Sequence, residues 1–354
     1  MPAPLTRWVA GAAWLALGCN LESALGVDDD GSSDGPDSQT TASASTDSGS
    51  ADSTGPGPAT DDGTSDGTGP QPAACGGRQL RIATFNIESV NPSGSASFEA
   101  LVDVLQRIDA DIVCMQEVEE TETATLFALA TAAGYSDTIQ ANAPPAIGGE
   151  LTNACMSRSP LSIFGSFGGA ELSPDGAAND VGRDILVVRA NLASDGEAPC
   201  ALGLVTLHLK SGQVQQDWFR RQVEAERVAQ AVARYQQEHP DEPMVILGDL
   251  NESIDDPALG SVFPRPPVGL PESYQLGSDI VFPLTYDPFA TFASLGFEVT
   301  EATQEDSDRD QTWNDAVRLD YVLRRGAPAL DAEVYNACRD NGVDDGPVGG
   351  SVDK

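Results

Sequence analysis

The stretch "MVILGDLNES", residues 244–253, is an apolar run that stops abruptly on a charged residue. Met244 to Leu247 have the branched, apolar character of a buried strand. Asp249 and Asn251 follow, separated by a single leucine. Side chains alternate across a strand, so Asp249 and Asn251 are expected on one side and Leu250 on the other. Taken alone the pair is unremarkable, because an Asp after Leu-Gly caps helices and an Asn after a strand turns the chain. It carries chemistry only if other strands deliver partners to the same place.

Four other apolar stretches end or break in the same way: Asn86 in "ATFNIES", Glu117 in "VCMQEVEE", His208 in "VTLHLKSG" and Asp320 in "RLDYVL". Around them the chain reads as alternating strands and helices. Strands are expected at 80–87, 110–118, 153–157, 161–167, 184–191, 201–208, 243–249 and 318–325. Helices are expected at 97–108, with Phe98, Leu101, Val102, Leu105 and Ile108 on one face, at 122–134 ending on Gly134, and at 214–237 with its charges on one side. Many short apolar strands with few helices between them do not suit a strictly doubly wound parallel sheet. They suit an α/β four-layer sandwich, two packed mixed sheets flanked by helices. Strand-end residues of such a fold gather at one rim. There the carboxylates and amides would be hard oxygen donors, suited to Mg2+, Mn2+ or Ca2+. A histidine beside them gives a site able to hold a phosphate through a metal and activate a water. Zinc is disfavoured, since the chain has two histidines and no CxxC or Cys/His spacing.

Composition divides the 354 residues into three parts. Residues 1–19, "MPAPLTRWVAGAAWLALGC", read as an export signal, and "LALGC" reads as a lipobox that would lipidate Cys19 and anchor the chain; simple secretion is the alternative. Residues 20–74 are rich in Gly, Ser, Thr, Asp and Pro, lack aromatics, and read as a disordered acidic tether. Residues 75–354 form the folded domain. The net charge is −36; eleven acids fall in 20–74 and Arg7 is the only base before residue 75, leaving 44 acids against 18 bases, or −26, for the domain. Such a balance disfavours indiscriminate binding to nucleic acid. Of the cysteines, Cys114 in "DIVCMQ" is expected as a buried free thiol, while Cys75, Cys155, Cys200 and Cys338 allow three disulfide connectivities.

In this order, "ATFNIE", "MQEVE", "HLKSG", "GDLNES" and "TW…RLDYVL" resemble the five motifs of the endonuclease/exonuclease/phosphatase superfamily, with "NACMSRSPL" and "GRDILVVRANL" similar to its middle strands. The likeness spans nearly all of residues 78–354 and implies a monomeric, metal-dependent phosphodiester hydrolase. It assigns metal binding to Glu117 with Asn86, activation of the attacking water to Asp249, hydrogen bonding to phosphate or water to Asn251, contact with the scissile phosphate to His208, and orientation of a final histidine to Asp320. The substrate class stays open among nucleic acid, nucleotides and phospholipid head groups, and the membrane is a partner only through the N-terminal anchor. The family pattern closes with a Ser-Asp-His motif and an apolar strand, whereas this sequence closes with "DDGPVGGSVDK" and has no histidine after His239. The last strand is therefore expected to be missing and activity to be impaired, by truncation or by loss of the chemistry. A non-catalytic surface protein that binds phosphorylated ligands or divalent ions is the competing reading.

Overall fold

A computed structural model describes the backbone of residues 13–17, and residues 79–142, 151–193, 200–304, 309–312, 317–327 and 332–336. In chain order the elements are β1 (Ala13–Leu17), β2 (Ile82–Asn86), α1 (Ala96–Ile108), β3 (Ile112–Glu119), α2 (Thr123–Ala133), β4 (Asp137–Gln140), β5 (Leu151–Ser157) and β6 (Leu161–Phe167). Next come α3 (Gly169–Leu172), β7 (Ile185–Asn191), β8 (Ala201–His208), α4 (Gln215–Glu238) and β9 (Met244–Asp249). The chain continues through β10 (Val262–Phe263), β11 (Leu284–Thr285), α5 (Pro288–Ser294), β12 (Glu298–Val299), β13 (Asp320–Arg325) and β14 (Ala332–Asn336).

Two six-stranded mixed sheets form the body, in the orders β14-β1-β2-β3-β5-β4 and β12-β13-β9-β8-β7-β6. In the first, β14, β1, β2 and β3 run parallel and β5 turns back against β3. In the second, β8 and β9 are the parallel pair. Three apolar layers result. Phe98, Val102, Leu105 and Ile108 of α1 and Leu126, Leu129 and Ala130 of α2 pack on the first sheet. Ile112, Leu186, Leu204, Leu247 and Val322 fill the space between the sheets. Val228, Ala231 and Val232 of α4 and Phe292 of α5 cover the second. That is the expected four-layer sandwich. Local signals end its helices: the Ser95 side chain accepts from the Phe98 N–H at the start of α1, and Gly134, at φ 89°, closes α2.

Three differences from the sequence reading have physical causes. Cys114 is not a free thiol: β3 and β5 are antiparallel neighbours, Cys114 lies opposite Cys155, and the two form a disulfide. Cys200 is disulfide-bonded as well. The charges of α4 do not make a solvated face, because Arg221 and Arg227 are fully buried. Arg221 pairs with Glu252 and donates to the carbonyls of Lys210 and Gly212, while Arg227 pairs with Asp180 and Asp279. These cations hold loops, which cover the helix. Beside β2 the first sheet continues into β1, drawn from the stretch read as a leader, and then β14. The tether and residues 337–354, where the terminal motif was sought, lie outside the described residues, as do Cys19, Cys75 and Cys338. No helix among the described residues is long and apolar enough to cross a membrane.

Candidate functional site

Register within the second sheet builds half of the site. His208 ends β8 opposite Asp249, which ends β9, and Asp320 opens β13 on the other side of Asp249. In-register neighbours face the same way, so these three side chains form one row. Thr206, Leu247 and Val322, each two residues into the same strands, are buried; the last two belong to the inter-sheet layer. The row therefore sits at the mouth of that layer. Asn86, at the end of β2, comes to it from the first sheet.

Glu117 reaches the same mouth through a backbone irregularity. Strict alternation along β3 would put it beside Val113 and Met115, which face α1 and α2. The register of β3 against β5 shifts between Met115 and Val118, and Glu117 adopts a φ of 61°. This bulge re-aims the carboxylate toward the second sheet.

One ligand atom from each of Glu117, His208 and Asp249 lies within 4.8 Å of the others. The Asn86 Nδ2 group donates to Glu117 Oε1 at 3.0 Å and to Asp249 Oδ2 at 3.1 Å, bridging the sheets. Its Oδ1 accepts from the Glu88 N–H, so in this orientation the amide braces the carboxylates and presents no oxygen between them. Asn251 is not a strand residue: it adopts a φ of 50°, its N–H donates to Asp249 Oδ1 at 2.7 Å, and its Nδ2 donates to the Leu209 carbonyl. Leu250 points the other way, into the α4 layer, as expected.

Burial sets the protonation states. It raises the Asp249 carboxyl to about 6 despite hydrogen bonds from Asn251 and Asn86. It also raises Asp320 well above the usual carboxylate range, with Asp249 adding repulsion. Asp320 Oδ1 is buried with no hydrogen-bond partner among the described residues. His208 is pushed well below the ordinary imidazole value by burial, then by Arg183 and Lys210. Its Nε2 lies 3.6 Å from both Glu117 Oε1 and Asp249 Oδ2. With a neutral ring at that distance these contacts are not ion pairs. Its Nδ1 is buried and makes no hydrogen bond among the described residues. His239 is elsewhere, packed on Tyr235 and Phe164 with Nδ1 3.6 Å from Glu242.

The structure thus brings together Asn86, Glu117, His208 and Asp249, with Asp320 beside Asp249 and Asn251 on the adjoining turn. It adds Arg183, whose charge acts on both His208 and Asp249 and whose Nη1 donates to the Leu209 carbonyl. "GRD" just before a strand was the signal for Arg183. Lys210 follows His208 at one residue's distance, with Nζ 3.3 Å from Asp217.

No curated protein matches the chain. Among solved structures, truncated TDP2 of Caenorhabditis elegans is 14% identical with a TM-score of 0.40, covering 71% of this chain and 85% of that one. An endonuclease/exonuclease/phosphatase of Beutenbergia cavernae is 17% identical with a TM-score of 0.42, covering 69% and 64%. A mannosyl-6-phosphatase of Bacteroides thetaiotaomicron is 15% identical with a TM-score of 0.41, covering 71% and 87%. The family model described as Endonuclease/Exonuclease/phosphatase matches residues 83–340. Since that match takes in both sheets from β2 to β14, the chain belongs to the Endonuclease/Exonuclease/phosphatase family.

Proposed function

We propose that this chain is an exported, divalent-metal-dependent phosphodiester hydrolase. Members of its family are generally phosphoesterases. The observation that carries the reading is the meeting of Glu117, His208 and Asp249 across the two sheets, with the Asn86 amide between the carboxylates. Two carboxylates and an amide offer hard oxygen donors that fit Mg2+, or Mn2+ or Ca2+ in its place, with the imidazole left to face the phosphate. Glu117 is the principal ligand in this reading, and rotation of the Asn86 amide would add an oxygen. The bound cation supplies positive charge to a phosphoryl oxygen.

The chain's own groups do the rest. Asp249 takes the proton of the attacking water, and a carboxyl raised to about 6 is a better base near neutral pH than an ordinary one. Asn251 directs its amide at the phosphate or the water once released from Leu209. Neutral His208 offers Nε2–H to a phosphate oxygen, and Arg183 and Lys210 add positive charge. Asp320 would orient an acid for the leaving group; among the described residues its Oδ1 has no hydrogen-bond partner. The second reading is a surface protein that binds phosphorylated ligands or divalent ions without turnover. In either case the leader would export the chain, its removal before Cys19 taking β1 out of the first sheet, and Cys19 with the 20–74 tether would hold a monomeric domain off the membrane.

The test is a panel of bis(p-nitrophenyl) phosphate, p-nitrophenyl phosphate, an oligonucleotide and sphingomyelin vesicles with Mg2+, Mn2+ or Ca2+, run beside isothermal titration of Mg2+. Hydrolysis of a diester that requires the cation and disappears in Glu117→Gln, together with loss of most Mg2+ binding, supports the hydrolase. Cation binding without turnover of any diester leaves the binding protein. Unchanged Mg2+ affinity in Glu117→Gln removes Glu117 as principal ligand.

A further inference from the structure

Between the sheets, in a layer that includes Ile112, Cys114, Leu204 and Leu247, lies a fully buried polar relay. Thr84 Oγ1 donates to Gln116 Oε1 at 3.1 Å, and Gln116 Nε2 donates to Thr206 Oγ1 at 3.1 Å. Thr84, Gln116 and Thr206 are each 0% exposed. Stability does not explain them. A satisfied buried hydrogen bond contributes about 1 kcal/mol net, and replacing both partners with apolar groups of the same shape is close to neutral.

Their positions do explain them. Thr84 stands two residues before Asn86 on β2, Gln116 immediately before Glu117 on β3, and Thr206 two residues before His208 on β8. The site is divided between the sheets, with Asn86 and Glu117 on one and His208 and Asp249 on the other. Apolar packing is non-directional, so by itself it allows one sheet to slide over the other by a fraction of an ångström at little cost. A hydrogen bond resists such a slip because it weakens with distance and angle. Gln116 also lies within the bulge that turns Glu117 toward the second sheet, so its amide ties that bulge to β8.

We propose that Gln116, through Thr84 and Thr206, is a positioning residue that sets the alignment of the two sheets at the site and so the spacing of Glu117 from His208 and Asp249. The effect on rate rests on the hydrolase reading; the effects on geometry and cation binding do not.

The experiment compares Gln116→Met, Thr206→Val and Thr206→Ser in the full chain. Melting temperature, Mn2+ affinity by EPR, kcat/KM on a diester and the Asn86 side-chain amide resonances are measured. The resonances report the Glu117–Asp249 span without metal or substrate. Gln116→Met and Thr206→Val are expected to melt within a few degrees of the parent, to shift the Asn86 resonances, and to weaken Mn2+ binding roughly 5-fold and kcat/KM 10-fold or more, the usual scale for a supporting contact. Thr206→Ser, which keeps the hydroxyl, should behave as the parent. The double variant should lose no more than Gln116→Met alone, because Thr206→Val removes a bond that Gln116→Met has already broken. Parental Asn86 resonances in Thr206→Val overturn the proposal, as does equal loss in Thr206→Ser. If Gln116→Met does not fold, Thr206→Val decides. If no diester is cleaved by the parent, the hydrolase reading fails while the resonances and Mn2+ affinity still decide the role of Gln116.

Discussion

Replacing Asp249 with asparagine should stabilise the protein at neutral pH while removing its activity. Burial lifts the Asp249 carboxyl from an ordinary 3.8 to about 6. The folded protein therefore favours the protonated form more than the unfolded chain does. That contribution is present below the unfolded value and is lost as pH rises through about 6. A shift of about two units, at 1.36 kcal/mol each, makes the charged carboxylate cost about 3 kcal/mol at pH 7. Asparagine avoids this but turns an N–H group toward Asn86 Nδ2, losing a hydrogen bond of about 1 kcal/mol. Asp249→Asn should thus be about 1 kcal/mol less stable than the parent near pH 4 and about 2 kcal/mol more stable at pH 7, with the crossover between. Urea denaturation in EDTA at half-unit steps from pH 4 to 7.5 measures the difference. A flat difference across that range, or one that falls as pH rises, refutes the account of a strained, buried base.

Three further outcomes follow from the same structure. His208 should titrate well below the ordinary imidazole value of 6.5, because burial disfavours its charged form; 15N NMR that finds half-protonation near 6.5 would contradict this. Arg227→Met strips the fully buried Asp180 of its cation and should destabilise the fold by about 3–5 kcal/mol in urea, whereas a loss under 1 kcal/mol would mean the two loops carrying Asp180 and Asp279 simply open. Cys19→Ser should move the protein from the membrane fraction to the soluble exported one, and equal partitioning of the two forms would leave ordinary secretion.

The sandwich was legible because local pattern and tertiary placement agree. The runs at 161–167 and 201–208 become β6 and β8 with the expected bounds, and the helical spacing at 97–108 becomes α1. The polar ends of buried strands do come together, since register alone sets His208, Asp249 and Asp320 in a row. Glu117 shows the limit. Its motif marks the residue, but alternation assigns it the wrong face, and the bulge that corrects this depends on how β3 meets β5. Asn251 likewise needed a left-handed turn, not a strand, to return to Asp249. The partner of Cys114 is 41 residues away and depends wholly on strand pairing. The buried arginines of α4 looked like solvated charges because their acceptors come from loops distant in sequence.

The Cys114–Cys155 disulfide sits at 0% exposure within the layer between the sheets. A thiolate must reach a sulfur to reduce it, so no reductant can act while β3 and β5 remain packed. Its reduction rate is then a clock for opening of the sandwich rather than a measure of disulfide strength. The clock is mounted on the strand that carries Glu117, three residues from the cross-link. Whatever joins Glu117 to Asp249 across the sheets should therefore slow the appearance of free thiols, and counting them would register occupancy of the site without any substrate.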